Sequence, residues 1–122
     1  SVSSCPKRNT TTVAPQALQL LNNAFVMGQS ALFAERLRNE VGKDTVQQIR
    51  RAFRLSYGRL PDAMELDASQ SFLKRQAGYH QGLAARLQAQ GVDPAEIPEP
   101  AKAALIDLCH SLFNSNEFVY VN

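Results

Sequence analysis

The sequence predicts an all-α domain: a compact bundle of about five helices with an extended N-terminal arm and a short extended C-terminal tail. Apolar residues recur at three- and four-residue spacing along most of the chain, as on one face of a helix. Two of these stripes are preceded by a helix-start pair, an Asp followed three residues later by Gln or Glu. No segment carries the repeated alternation and hairpin turns of a sheet.

Residues 1–12 are polar and without period, so they read as the arm. Pro15 fits the first turn of a helix, where its missing N–H costs nothing, and QALQLL carries that helix to Leu21. Asn22 and Asn23 are expected to end it and to cap a second helix, whose stripe is Val26, Phe33, Leu37 and Val41 and whose stop is Gly42. Asp44 and Gln47 open a third helix. Val46, Ile49, Phe53 and Tyr57 are its inward stripe, and Gln47, Arg50, Arg51 and Arg54 lie on the opposite face. Gly58 closes it. In GRLPDAMEL, Pro61 and the Asp62–Glu65 pair restart a helix after a tight connection, the strongest local signal in the chain. That fourth helix turns Leu66, Phe72 and Leu73 inward and runs toward Gly91, with a break allowed at Gly78 or Gly82. Three prolines make 92–100 a loop. A last helix starts near Ala101, with Ala101, Leu105, Leu108 and Leu112 inward and Ile106, Cys109 and Phe113 widening the face. In the tail, Phe118 and Tyr120 alternate with Val119 and Val121.

The 122 residues form one domain, 1–122, large enough to hold a hydrophobic core without metal or disulfide support. A composition 44% hydrophobic and 20% charged argues against disorder. No apolar run reaches the length of about 20 residues that a membrane-spanning helix needs. Position 1 is not Met, so the chain is expected to be part of a longer protein. Spacing does not decide whether Cys5 and Cys109 are bridged; the apolar helical face around Cys109 favours a buried free thiol. Two Cys and two His without metal-ligand spacing argue against zinc, and no cofactor is expected.

Candidate chemistry is sparse. Cys109 and His110 are neighbours on a helix and point about 100° apart, so they are not a nucleophile–base pair. Asp107 and His110 share a face and read as a solvated pair. The cluster RRAFRLSYGR interleaves arginines with Phe53 and Tyr57, as a phosphate-binding surface would, but a net charge of +2 is small for a nucleic-acid partner. Arg59 is placed to hold the turn through carbonyls or Glu65. The two asparagine corners, Asn22–Asn23 and Asn114–Asn116, each carry a spare amide, and a shared network beneath Phe25 and Phe118 is one reading of them. The residues left as polar, ligand or interface candidates are Arg54, Arg59, Asn22, Asn23, Asn114, Asn116 and Glu117; no catalytic residue stands out.

Three motifs in order, SCPKRNTTTVAPQALQLLNN, RRAFRLSYGRLPDAMEL and ALIDLCHSLFNSNEFVYV, resemble the planctomycete PSD-type domain family. The likeness runs from Ser4 to Val121 and is least distinctive around 78–100. It implies a C-terminal domain of unknown function in large exported proteins, often with a cytochrome c domain and sometimes with carbohydrate-binding-like modules. The implied partner is the upstream domain of the same polypeptide, and the implied setting is the cell envelope. The family supplies no catalytic residue to carry over, and the haem-attachment pattern CxxCH is absent. The leading expectation is therefore a non-catalytic packing module with an exposed apolar patch. Its rivals are a component of an envelope polysaccharide-processing or binding assembly, contributing polar residues to a shared cleft, and weak nucleic-acid binding.

Overall fold

The computed structural model describes the backbone of residues 15–115 and the side chains from residue 24 onward. The expected arm, Cys5, Asn116, Glu117 and the tail from Phe118 lie outside the described residues. Within them the protein is all-helical: α1 (Pro15–Val41), α2 (Thr45–Tyr57), α3 (Ala63–Ala89), a 3-10 turn (Pro94–Glu96) and α4 (Pro100–Phe113).

The described residues hold four helices rather than about five, because Asn22 and Asn23 do not form a corner. α1 passes through them without interruption. Each Asn costs a helix only about 0.7 kcal/mol relative to Ala, whereas splitting α1 there would leave a seven-residue helix and add a second unfavourable nucleation. The break allowed at Gly78 or Gly82 is likewise not taken, and α3 is one helix.

The helix ends follow the chemistry of their sequences. Gly42 and Gly58 adopt φ of 73° and 75°, the left-handed region that glycine enters without a Cβ clash, and each N–H closes its helix onto a carbonyl, of Arg38 and Arg54 respectively. The Asp44 carboxylate accepts from the N–H groups of Val46 and Gln47. At Asp62 the capping box is reciprocal: Asp62 accepts from the Glu65 N–H at 2.7 Å, and Glu65 accepts from the Asp62 N–H at 2.9 Å.

α4 is the central element. It packs chiefly on α3 and α1, and α2 closes the remaining side. Ala104, Leu105, Leu108, Cys109 and Leu112 of α4 meet Ala34 and Leu37 of α1, Ile49, Ala52 and Phe53 of α2, and Leu73 of α3. Ala101, expected inward, is exposed and borders a cleft. Phe33 stacks on Phe113 at 5.3 Å between ring centroids, and the Tyr57 hydroxyl donates to the Leu112 carbonyl at 3.1 Å, tying α2 to the end of α4.

Ser56, buried at the α2 interface, has a hydroxyl oxygen without a hydrogen-bond partner among the described residues. Removing it leaves no polar atom to desolvate and improves helix propensity. Ser56→Ala is therefore expected to raise stability by about 1 kcal/mol, read as a higher urea midpoint at constant slope.

Candidate interaction surfaces

Arg59 belongs to the turn between α2 and α3, where it is fully engaged. Its Nη1 and Nη2 donate to the two oxygens of Glu65, each at 2.8 Å, and Nη1 also donates to the Leu60 carbonyl at 3.1 Å. The guanidinium carbon lies 5.8 Å from the Phe53 ring centroid and 5.7 Å from that of Tyr57. Those two rings meet edge to face at 5.2 Å. The Arg59 guanidinium and then the Asp62 N–H hold the Glu65 carboxyl down at about 2. The expectation that Arg59 holds the turn through Glu65 thus describes its geometry.

Arg54 lies on the exposed face of α2 with Gln47, Arg50 and Arg51. These side chains, with Val41 and Leu60, line an open groove. Arg51 donates to Glu40 at 2.8 Å, and Arg36 donates to the other oxygen of the same carboxylate at 2.7 Å. Those two bonds, Arg36 first, hold Glu40 below the usual carboxylate value. Arg50 and Arg54 make no ion pair among the described residues. The aromatics interleaved with them in sequence, Phe53 and Tyr57, turn away toward the core and Arg59, so among the described residues this basic face presents no ring on which a base would stack.

Asn114 is the C-cap of α4; its N–H donates to the His110 carbonyl at 3.1 Å and its side-chain amide lies 3.3 Å from His110 Nε2. Asn22 and Asn23 are interior residues of α1. The first of the two proposed asparagine corners therefore does not exist, and Arg54, Arg59 and Asn114 stand in three separate settings.

Asp107 does not pair with His110. Its carboxylate turns to α3 instead, where His80 Nε2 lies 2.6 Å away and Gln76 Nε2 donates at 2.9 Å to the same oxygen. Sequence reading missed this cluster because the partners are 27 and 31 residues away, and only the register of α3 against α4 brings them together. Cys109 is a free thiol buried in the core, and burial pushes it up to about 12, which leaves it protonated and inert. Its neighbour His110 faces Asn114. Among the described residues no group of three His, Cys, Asp or Glu is arranged to hold a metal ion.

Exposed apolar side chains stand around the middle of α1. Phe25 is 67% exposed and Leu32 62%, and seven residues apart they share one helical face; Met27 is also exposed. Met64, Leu60 and Tyr79 are exposed elsewhere. No described helix is long and apolar enough to cross a membrane.

No curated protein and no solved structure matches the chain. Residues 1–73 match the family PSD1, described as a protein of unknown function (DUF1553). The match takes in the first two of the three motifs, with α1, α2 and the first turns of α3, and leaves α4 and the third motif outside it. Because it covers more than half of the 122 residues, the chain belongs to the PSD1 (DUF1553) family.

Proposed function

We propose that this chain is a non-catalytic helical packing module of a large, exported, multidomain protein, and that it docks through α1 onto the part of its own polypeptide that precedes it. The observation that carries this reading is the face formed by Phe25 and Leu32. Large apolar side chains left in water at helical spacing on one element are the mark of a surface meant to be covered. The occupant follows from connectivity. Chain leading into α1 is tethered beside this face, and a short tether gives a millimolar effective concentration without further affinity. The polar motifs support the same reading, since Arg59, Glu65, Asp62 and Asn114 are each engaged by a turn or a helix end.

The test is a pull-down between this chain and the preceding segment of its parent protein, with Phe25→Asp/Leu32→Asp as the comparison. The segment is expected to be retained by the wild type and to lose at least tenfold in affinity against the variant, whose circular dichroism stays unchanged. Retention that is indifferent to both substitutions would reject the α1 face. Dimerisation of the isolated chain through the same residues, seen by light scattering, would replace the upstream segment with a second copy.

A further inference from the structure

We propose that the cleft where the four helices meet binds a small hydroxylated oxyanion, a sugar acid or sugar phosphate of about one monosaccharide. The site is distinct from the α1 face and does not depend on the docking reading.

The cleft has a volume of about 260 Å³, just under the roughly 300 Å³ at which drug-sized sites begin, which suits a ligand of one ring. Each helix contributes: Arg38 from α1, Thr45 and Gln48 from α2, Gln70 and Lys74 from α3, and Ala104 from α4. The lining also holds apolar side chains, Leu73, Ala77, Ala101, Ala104 and Leu105, three of them alanines. The rim is basic. Arg38, Lys43 and Lys74 face one acid, Glu99, and neither lysine makes an ion pair among the described residues.

Two details define the ligand further. Arg38 Nη1 lies 3.0 Å from Glu99 Oε1, with the arginine side chain only 21% exposed and the glutamate, on the Pro-rich loop, 52% exposed. The arginine is therefore held in place and its counter-ion is the looser member. A carboxylate or phosphate entering the cleft would compete with Glu99 for an arginine already oriented to receive an oxyanion. Gln48, buried between helices, donates through Nε2 to the Gly42 carbonyl at 2.7 Å, which fixes its amide plane. Its carbonyl oxygen accepts no bond among the described residues, so it stands as an oriented acceptor at the cleft wall for a donor such as a ligand hydroxyl. Cations for an anion, an acceptor for a hydroxyl and apolar side chains in the lining together fit a hydroxylated anion better than a bare ion or a neutral sugar.

Titration of the isotope-labelled chain with glucuronate, glucose 6-phosphate, glucose and inorganic phosphate, followed by amide chemical shifts, tests the assignment. Saturable shifts at Gln48, Lys74 and Ala104 are expected from glucuronate or glucose 6-phosphate, with glucose and phosphate each at least about tenfold weaker. Lys74→Glu, at an exposed position that does not endanger folding, is expected to weaken the better ligand at least about tenfold, and Glu99→Gln to tighten it several-fold. The proposal fails if neither sugar anion gives saturable shifts at tens of millimolar, or if phosphate binds as well as the sugar anions. It fails equally if the shifts centre on Arg50 and Arg54, or if Lys74→Glu leaves affinity unchanged.

Discussion

Leu37→Ala is expected to remove about 3 kcal/mol of stability, while Leu32→Ala, less than two turns earlier on the same helix, costs under about 0.5 kcal/mol. Leu37 is 0% exposed and packs into the core that α4 and α2 build against α1. Truncating it forfeits the transfer free energy of its lost carbons and leaves a void in the core cluster it shares with α2, α3 and α4, which close-packed helices fill only in part. Leu32 has little burial to lose. Against a total of about 5–15 kcal/mol for a domain of this kind, the first change is severe, and the thermal midpoint is expected to fall by about 10 °C. Urea unfolding should show the loss in the midpoint and not in the slope. The contrast also bears on function. α1 turns Leu37 to the core and leaves Leu32 in water, so under the docking proposal Leu32 would serve association while Leu37 serves folding. Equal costs at the two positions would mean that α1 does not sit on α4 as described.

What the sequence made legible was local. The stripe of α2, its glycine stop and the capping box at Asp62 all rest on contacts within four residues, and each appears where spacing put it. The spurious corner at Asn22 was also a local inference, and it failed because a capping preference was set against the cooperativity of a helix already under way. Contacts that depend on how helices are laid together left no such trace. Asp107 has His110 three residues away and takes His80 and Gln76 instead. Arg38, Lys43, Lys74 and Glu99 are unremarkable surface charges in sequence, and only the meeting of four helices makes them one rim. The same holds for the arginine cluster: its aromatics were correctly assigned inward, but that one arginine would follow them while the others stayed on the outer face depended on the turn at Gly58.

Glu65→Ala is expected to cost about 2 kcal/mol, because this one side chain serves two structures. It completes the capping box on the Asp62 N–H, and it receives both arms of the Arg59 guanidinium beside the Phe53 and Tyr57 rings. The pair is partly open to water, with side chains 39% and 33% exposed, so its electrostatic share is screened to about 1 kcal/mol, and loss of the cap supplies the rest. Acid removes the charge-dependent part of both shares, since the Arg59 guanidinium and the Asp62 N–H each favour the carboxylate. Folding lowers the Glu65 carboxyl from 4.5 to about 2, so the stabilisation from its charge is complete above pH 4.5 and drains away as pH falls toward 2 and below. Glu65→Gln keeps the shape and an acceptor for the Asp62 N–H but has no proton to take up in that window. Wild type is therefore expected to be the more stable of the two at pH 7, with the gap in urea midpoint constant down to about pH 4.5 and closing toward pH 2. A gap independent of pH would mean that the Glu65 charge contributes nothing to stability and would count against the Arg59–Glu65 pair.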